Sequence, residues 1–166
     1  FYDTRQVRDA MAYLRLINNP DDAVALRRIV NEPKRGIGEA TMDKAVDIAA
    51  GLGVSVFEVI SHAADYPDLS RAAGKLRLFA ELIQRLQEMS GDPEISLHLL
   101  YTTMLEATGY LAMWERAGEE EAGRVENLNE LASNIIRYEE ESPDEFPELA
   151  GFLEEAALMT DADNYD

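Results

Sequence analysis

The 166-residue sequence contains no cysteine, which excludes disulfides, thiolate metal sites and cysteine nucleophiles and accords with a reducing compartment. No apolar run approaches the roughly 20 residues that a membrane-spanning helix requires. The phosphate loop GxxxxGK[ST] is missing, so the chain has no such cradle for a triphosphate and is not expected to hydrolyse ATP alone. Strand-like alternation and internal repeats are missing too. Ser55, Ser61, Ser96 and Ser133 lack the local context of a nucleophile. Glu58 with His62 and Glu94 with His98 have i, i+4 spacing, which places two side chains on one helix face. A carboxylate-bridged metal pair would need Glu-x-x-His instead. Both are read as exposed pairs, with no catalytic residue, cofactor or metal expected in the chain.

Positive charge is scarce: 15 Lys and Arg stand against 33 Asp and Glu, a net charge of −18. A polyanion repels nucleic acid, but the acidity is uneven. Residues 1–90 carry 12 basic and 13 acidic side chains, whereas residues 91–166 carry 3 and 20. Near the middle of the first half, Arg27, Arg28, Lys34, Arg35 and Lys44 outnumber Glu32, Glu39 and Asp43. With a screening length of about 8 Å at physiological salt, a distant acidic face counts for less than this local patch.

The periodicity is helical throughout and predicts an all-α, monomeric, multi-helix domain over residues 1–166. Such a length buries roughly two-thirds of the unfolded surface. A first helix is expected from Thr4 to Ile17, capped by Asp3 or Thr4, with Val7, Ala10, Met11, Leu14 and Ile17 inward. Asp21 and Asp22 open a second helix, with Ala23, Leu26, Ile29 and Val30 inward, and Gly51 and Gly53 close a third. Ser55 caps a short helix, and Pro67-Asp68 leads into one with the stripe Leu76, Phe79, Leu82, Ile83 and Leu86. Beyond Gly91-Asp92-Pro93 an acidic helical half is expected over residues 92–166. Its helices run from Ser96 to Thr108, through Trp114, from Glu121 to Glu140, and from Pro147 to Met159. Leu128, Leu131, Ile135 and Ile136 mark the inner face of the long one, and its glutamates read as a solvated face. Trp114, Tyr110 and Met113 read as core packing, because base-stacking aromatics sit among basic residues.

Within this pattern, Pro33-Lys34-Arg35-Gly36-Ile37-Gly38 separates two amphipathic stretches, giving a candidate helix-hairpin-helix over residues 21–53. Proline disfavours helix at Glu32, and Gly36 and Gly38 permit positive φ and a bare backbone surface. The next helix begins at Glu39, so its unpaired amides and positive dipole end face the space the glycines leave open, a setting for a phosphate. Ile37 plugs the turn into the core, and Lys34 and Arg35 supply a cationic rim. Thr41 and Lys44 share the outer face of the following helix as further phosphate ligands. A Gly-x-Gly is equally compatible with a plain turn between helices. On that alternative the acidic helices dock a basic protein partner.

The residues also resemble a known family. Phe1-Tyr2-Asp3, Val7-Arg8-Asp9, Ala12-Tyr13-Leu14-Arg15-Leu16-Ile17, Asn19-Pro20-Asp21-Asp22, Leu26-Arg27-Arg28-Ile29-Val30-Asn31 and Pro33 to Gly38 follow the order seen in the 2B subdomain of the UvrD/PcrA/Rep helicases. Gly109-Tyr110, Arg124-Val125-Glu126-Asn127-Leu128-Asn129-Glu130-Leu131 and Phe152 to Leu158 resemble the same subdomain, nearer the PcrA branch. The resemblance implies that this chain, which opens on Phe1 rather than Met, is a segment of a longer protein. It implies a bacterial, cytoplasmic, nucleoid-associated parent: an ATP- and Mg-dependent 3′-to-5′ DNA helicase of repair and replication. The segment would be an α-helical insertion in the second motor domain, partnered by the remaining helicase domains, duplex DNA and repair proteins. In that family the subdomain swivels, and its Gly-Ile-Gly hairpin rests on duplex DNA ahead of the fork. Lys34, Arg35, Gly36, Ile37, Gly38 and Thr41 stand at the matching positions. Thr4 departs from the family's usual Arg, and Gln6 from its usual Glu.

Overall fold

Helix α1 (Arg5–Asn18) is buried almost all the way round. The expected inner face of Val7, Ala10, Met11, Leu14 and Ile17 is joined by Gln6, Asp9, Ala12, Tyr13 and Leu16. A helix buried over most of its circumference, with only Arg5, Arg8, Arg15 and Asn18 exposed, lies inside a bundle. Accordingly α1 packs against α2 (Ala23–Ile29), α5 (Ala73–Ser90), α6 (Leu97–Ala107), α8 (Ala122–Glu141) and α9 (Leu149–Tyr165). The computed structural model describes residues 1–165, and no strand occurs among them. The fold is all-α.

Three of the predicted starts carry a side-chain cap. Asp22, Ser55 and Ser96 accept from the amides of Ala25, Glu58 and Leu99 at 3.0, 3.1 and 3.0 Å, opening α2, α4 (Val56–Ser61) and α6. Each occupies an orphan donor of a first helical turn. Gly53, in the left-handed region at φ +69, ends α3 (Glu39–Leu52) and donates to Ala49 O. Thr4 occupies the N-cap position of α1 without a side-chain cap bond, and its hydroxyl donates back to Phe1 O at 2.9 Å.

One hydrophobic cluster runs from Val7 to Ala156 and includes residues of α1 through α9, with Tyr110 and Trp114 of α7 (Tyr110–Arg116) among them. The Gly91-Asp92-Pro93 break therefore joins two helices that share a core. Several expected positions shift. Ala23 is exposed while Ala25 takes its inward place, Leu82 is half-buried, and Ile136 is exposed. Pro67-Asp68 forms a separate 3₁₀ turn, so α5 begins only at Ala73, and α9 begins at Leu149 rather than Pro147. Glu94 lies ahead of α6 and shares no helix face with His98, whereas Glu58 and His62 form an exposed pair 3.4 Å apart.

Candidate nucleic-acid interface

Residues 30–38 connect α2 to α3, and their path is set by one amide side chain. Asn31 Oδ1 accepts from the backbone of Arg35 at 2.7 Å and of Ile37 at 3.3 Å, folding the segment over itself. Ile37 points into the core and is 1% exposed, the plug expected of it. Gly36 adopts φ +76, where only glycine is unstrained. Gly38 does not: at φ −82 and ψ 172 it is extended and serves as the N-cap of α3. Of the two glycines that permit positive φ, only Gly36 uses it.

The two glycines also face different surroundings. A Cβ on Gly38 would meet nothing within 4 Å, so the approach to α3 is open there. A Cβ on Gly36 would come within 2.6 Å of Lys75 Nζ, so the surface beside it is covered by an ammonium group from α5. The first amide of α3 with a backbone acceptor is that of Met42, bonded to Gly38 O at 3.2 Å. The amides of Glu39, Ala40 and Thr41 precede it and have no backbone acceptor in the helix. Together they form the donor cluster of a helix start, with the Glu39 carboxylate in the same turn offsetting part of the positive dipole end.

The cationic rim is composed differently from expectation. Arg35 turns inward. Its Nη1 donates to Ile29 O and Val30 O at 3.0 Å each and to Pro33 O at 3.4 Å; its Nη2 donates to Tyr13 Oη at 2.7 Å and Thr108 O at 3.1 Å. The guanidinium also lies 4.9 Å from the Phe79 ring centre and 5.9 Å from that of Tyr13. A cation at the carbonyl ends of two helices, α2 and α6, is favoured by both dipoles, and the planar fork fits several acceptors at once. Arg27 pairs with Asp43 of α3, and Arg28 donates to Asp9 Oδ1 at 2.8 Å. Lys34 and Lys44 are exposed and Thr41 is half-buried, with Lys75 as an added exposed cation. Among the described residues these three lysines form no ion pair. Apart from the Arg27–Asp43 pair, the helices flanking the hairpin find their main contacts elsewhere, α2 on α1 and α3 on α4.

Beneath the hairpin lies a buried polar network. Asp9, 2% exposed, accepts from Arg28 and, at 2.7 Å, from the Tyr110 hydroxyl. Tyr13 donates to Glu32 O at 2.5 Å, and burial pushes its phenol up to about 12, against the opposing pull of the Arg35 charge. Tyr101, donating to Leu128 O at 2.8 Å, is likewise raised by burial. Hairpin, central helix and α6 are thus fastened as one unit.

Residues 1–165 match the UvrD-like helicase C-terminal domain. The chain belongs to that family. It is 36% identical over its whole length to an ATP-dependent DNA helicase PcrA of Bacillus subtilis, 35% to one of Staphylococcus aureus and 33% to one of Leuconostoc citreum. It spans only 22–23% of the length of these curated relatives.

Within this UvrD-like domain, Gln6 is buried at 2% exposure and accepts from Arg124 Nη1 at 3.1 Å. Arg124 also packs 4.7 Å from the Trp114 ring centre, with Arg5 at 5.3 Å. Trp114 is core, as expected, with the guanidinium groups of Arg5 and Arg124 against its ring. The residues missed from sequence are Asn31 and Lys75. An asparagine just past a helix end is a turn-forming signal that would have found Asn31. Nothing in linear spacing connects Lys75 with a glycine 39 positions earlier.

Proposed function

We propose that this chain is the 2B-type subdomain of an ATP-dependent 3′-to-5′ DNA helicase and that it grips the duplex backbone through the hairpin at residues 34–41. The observation that carries the reading is the conjunction of the open approach at Gly38, the donor cluster of Glu39, Ala40 and Thr41, and unpaired Lys34 and Lys75 beside the same turn. Membership of the UvrD-like family supports it. Amides and lysines on phosphate carry no base information, so the grip is set by charge and shape. Arg35 acts here by holding the turn, with Lys34, Thr41 and Lys44 from the sequence pattern, joined by Lys75, as side-chain ligands. The remainder of such a helicase would hold ATP and Mg²⁺ and perform the hydrolysis, and this subdomain would bias the unwinding state without chemistry of its own.

The test is the double variant Lys34→Ala with Lys75→Ala. Each change is on the surface and alters stability by no more than about 0.5 kcal/mol. In a parent helicase the pair should weaken duplex engagement and slow unwinding while single-strand-stimulated ATP hydrolysis persists. Unchanged duplex affinity in the folded double variant would remove the hairpin from the interface and promote the acidic helices as a protein-docking face.

A further inference from the structure

A groove of about 510 Å³ runs between the hairpin and α7, lined by Pro33, Lys34, Thr108, Gly109, Met113 and Arg116 together with Arg35 and Ala117. It carries three basic residues and no acidic one, in a chain whose net charge is −18. Four other surface cavities each include at least one Asp or Glu. Arg116, in the last turn of α7, is exposed and forms no ion pair among the described residues. It is one of only three basic residues in the acidic half, yet it lines the same groove as the hairpin's Lys34.

The two walls are held together. Arg35 reaches from the hairpin to Thr108 O at 3.1 Å, a link between residues 73 apart, and Pro33 Cγ lies 3.7 Å from where a Cβ on Gly109 would stand. Gly109 is at φ +78, turning the chain from α6 into α7 directly under the groove. Lys34 of the hairpin and Arg116 of α7 therefore line one slot together with the apolar Pro33, Met113 and Ala117. Cations interleaved with apolar side chains suit a sugar-phosphate strand, which offers charged phosphate oxygens beside the less polar sugars.

We propose that this groove is a second contact for the DNA backbone, with Arg116 of α7 as a phosphate ligand together with Lys34. The inference deepens the hairpin reading and rests on it. The groove extends the interface from one turn to a track that crosses from the basic half to the acidic half, and it assigns the domain's α7 to DNA.

The experiment measures binding of the 166-residue chain to a short, blunt-ended, fluorescein-labelled duplex by anisotropy across a salt series. Arg116→Ala should weaken binding several-fold at low salt and reduce the log-log salt slope by about 1, the loss of one phosphate contact. Arg116→Lys should keep the slope. Arg137→Ala, an exposed position on α8 outside the groove, makes the same change in net charge and should keep it as well. If Arg116→Ala behaves like Arg137→Ala while Lys34→Ala still lowers the slope, the groove assignment falls and the hairpin reading stands. If neither Lys34→Ala nor Arg116→Ala lowers it, both fall. Circular dichroism of each variant verifies that the helices are intact.

Discussion

Gly36 and Gly38 stand two positions apart in one motif and carry different constraints. Alanine at Gly36 would be strained at φ +76 and would collide with Lys75, so Gly36→Ala should lower stability by about 1 kcal/mol or more. Gly38→Ala meets open space at an ordinary φ and loses only a preferred helix-cap residue, a cost of a few tenths of a kcal/mol to about 1. Urea denaturation of the two variants should rank Gly36→Ala as the less stable, and equal midpoints would contradict the backbone assignment. Arg35 offers a second contrast. As a surface cation its removal would be nearly silent, but here five acceptors depend on it, and a lysine cannot serve them together. Arg35→Lys should destabilise by about 2 kcal/mol, as buried carbonyls lose their donors. Tyr13 adds a pH dependence. Its folded-state value is raised from the ordinary phenol value of about 10 to about 12, so above pH 10 the unfolded chain releases a proton that the folded chain retains. Stability present below pH 10 is lost as pH rises to 12, by on the order of 3 kcal/mol from this group. Urea midpoints across that window should fall, and Tyr13→Phe should flatten the decline.

Among the helices, α6 shows how two distant segments share one start. Ser96 caps it locally, and Glu139 of α8 accepts from the amides of Leu97 and His98 at 3.0 Å each, so three of its first-turn donors are paired. A carboxylate at a helix start also meets the positive end of the dipole. Ser96→Ala should cost about 1 kcal/mol, and Glu139→Ala about 1–2 kcal/mol by orphaning two amides. Thermal unfolding of the single and double variants measures both, and a silent Glu139→Ala would show that water replaces the carboxylate. The pair also marks where sequence reading stops. Ser96 was legible because a cap and its amide are three residues apart, and the same local logic exposed Asp22, Ser55 and Gly53. Glu139 looked like one more solvated glutamate, because a partner 41 or 42 residues away leaves no periodic trace. Arg35 failed for a related reason. Composition announces a cation at a turn, but whether it faces solvent or the carbonyl ends of α2 and α6 depends on where α6 passes. Ile37 was legible because a lone apolar residue in a polar turn has one favourable direction.

Charge is distributed so that salt should act on the domain in two opposing ways. The hairpin and groove present a few unpaired cations, while residues 91–166 hold 20 acidic side chains against 3 basic ones. A domain of this length has a diameter of roughly 40 Å. Screening acts over about 10 Å at 0.1 M salt and about 30 Å at 0.01 M. At the higher salt the acidic face is screened from a duplex seated at the hairpin, and binding is governed by counterion release from about four phosphates, one for each of Lys34, Lys44, Lys75 and Arg116. The log-log slope should then be near −3.6, so affinity falls roughly 150-fold between 0.05 and 0.2 M, reaching a weak binding constant on the order of 10⁻⁴ M at physiological salt. Towards 0.01 M the screening length approaches the size of the domain, and the acidic half begins to repel the same duplex. The plot should flatten there, where a uniformly basic DNA-binding domain would continue to gain affinity. Anisotropy titrations across both regimes test this, with a companion variant carrying Glu154→Gln and Glu155→Gln on the exposed side of α9. That variant should bind more tightly than the parent chain at low salt and equally at physiological salt. A straight line through the whole range, unmoved by the two substitutions, would mean that the acidic half does not sense DNA bound at the hairpin.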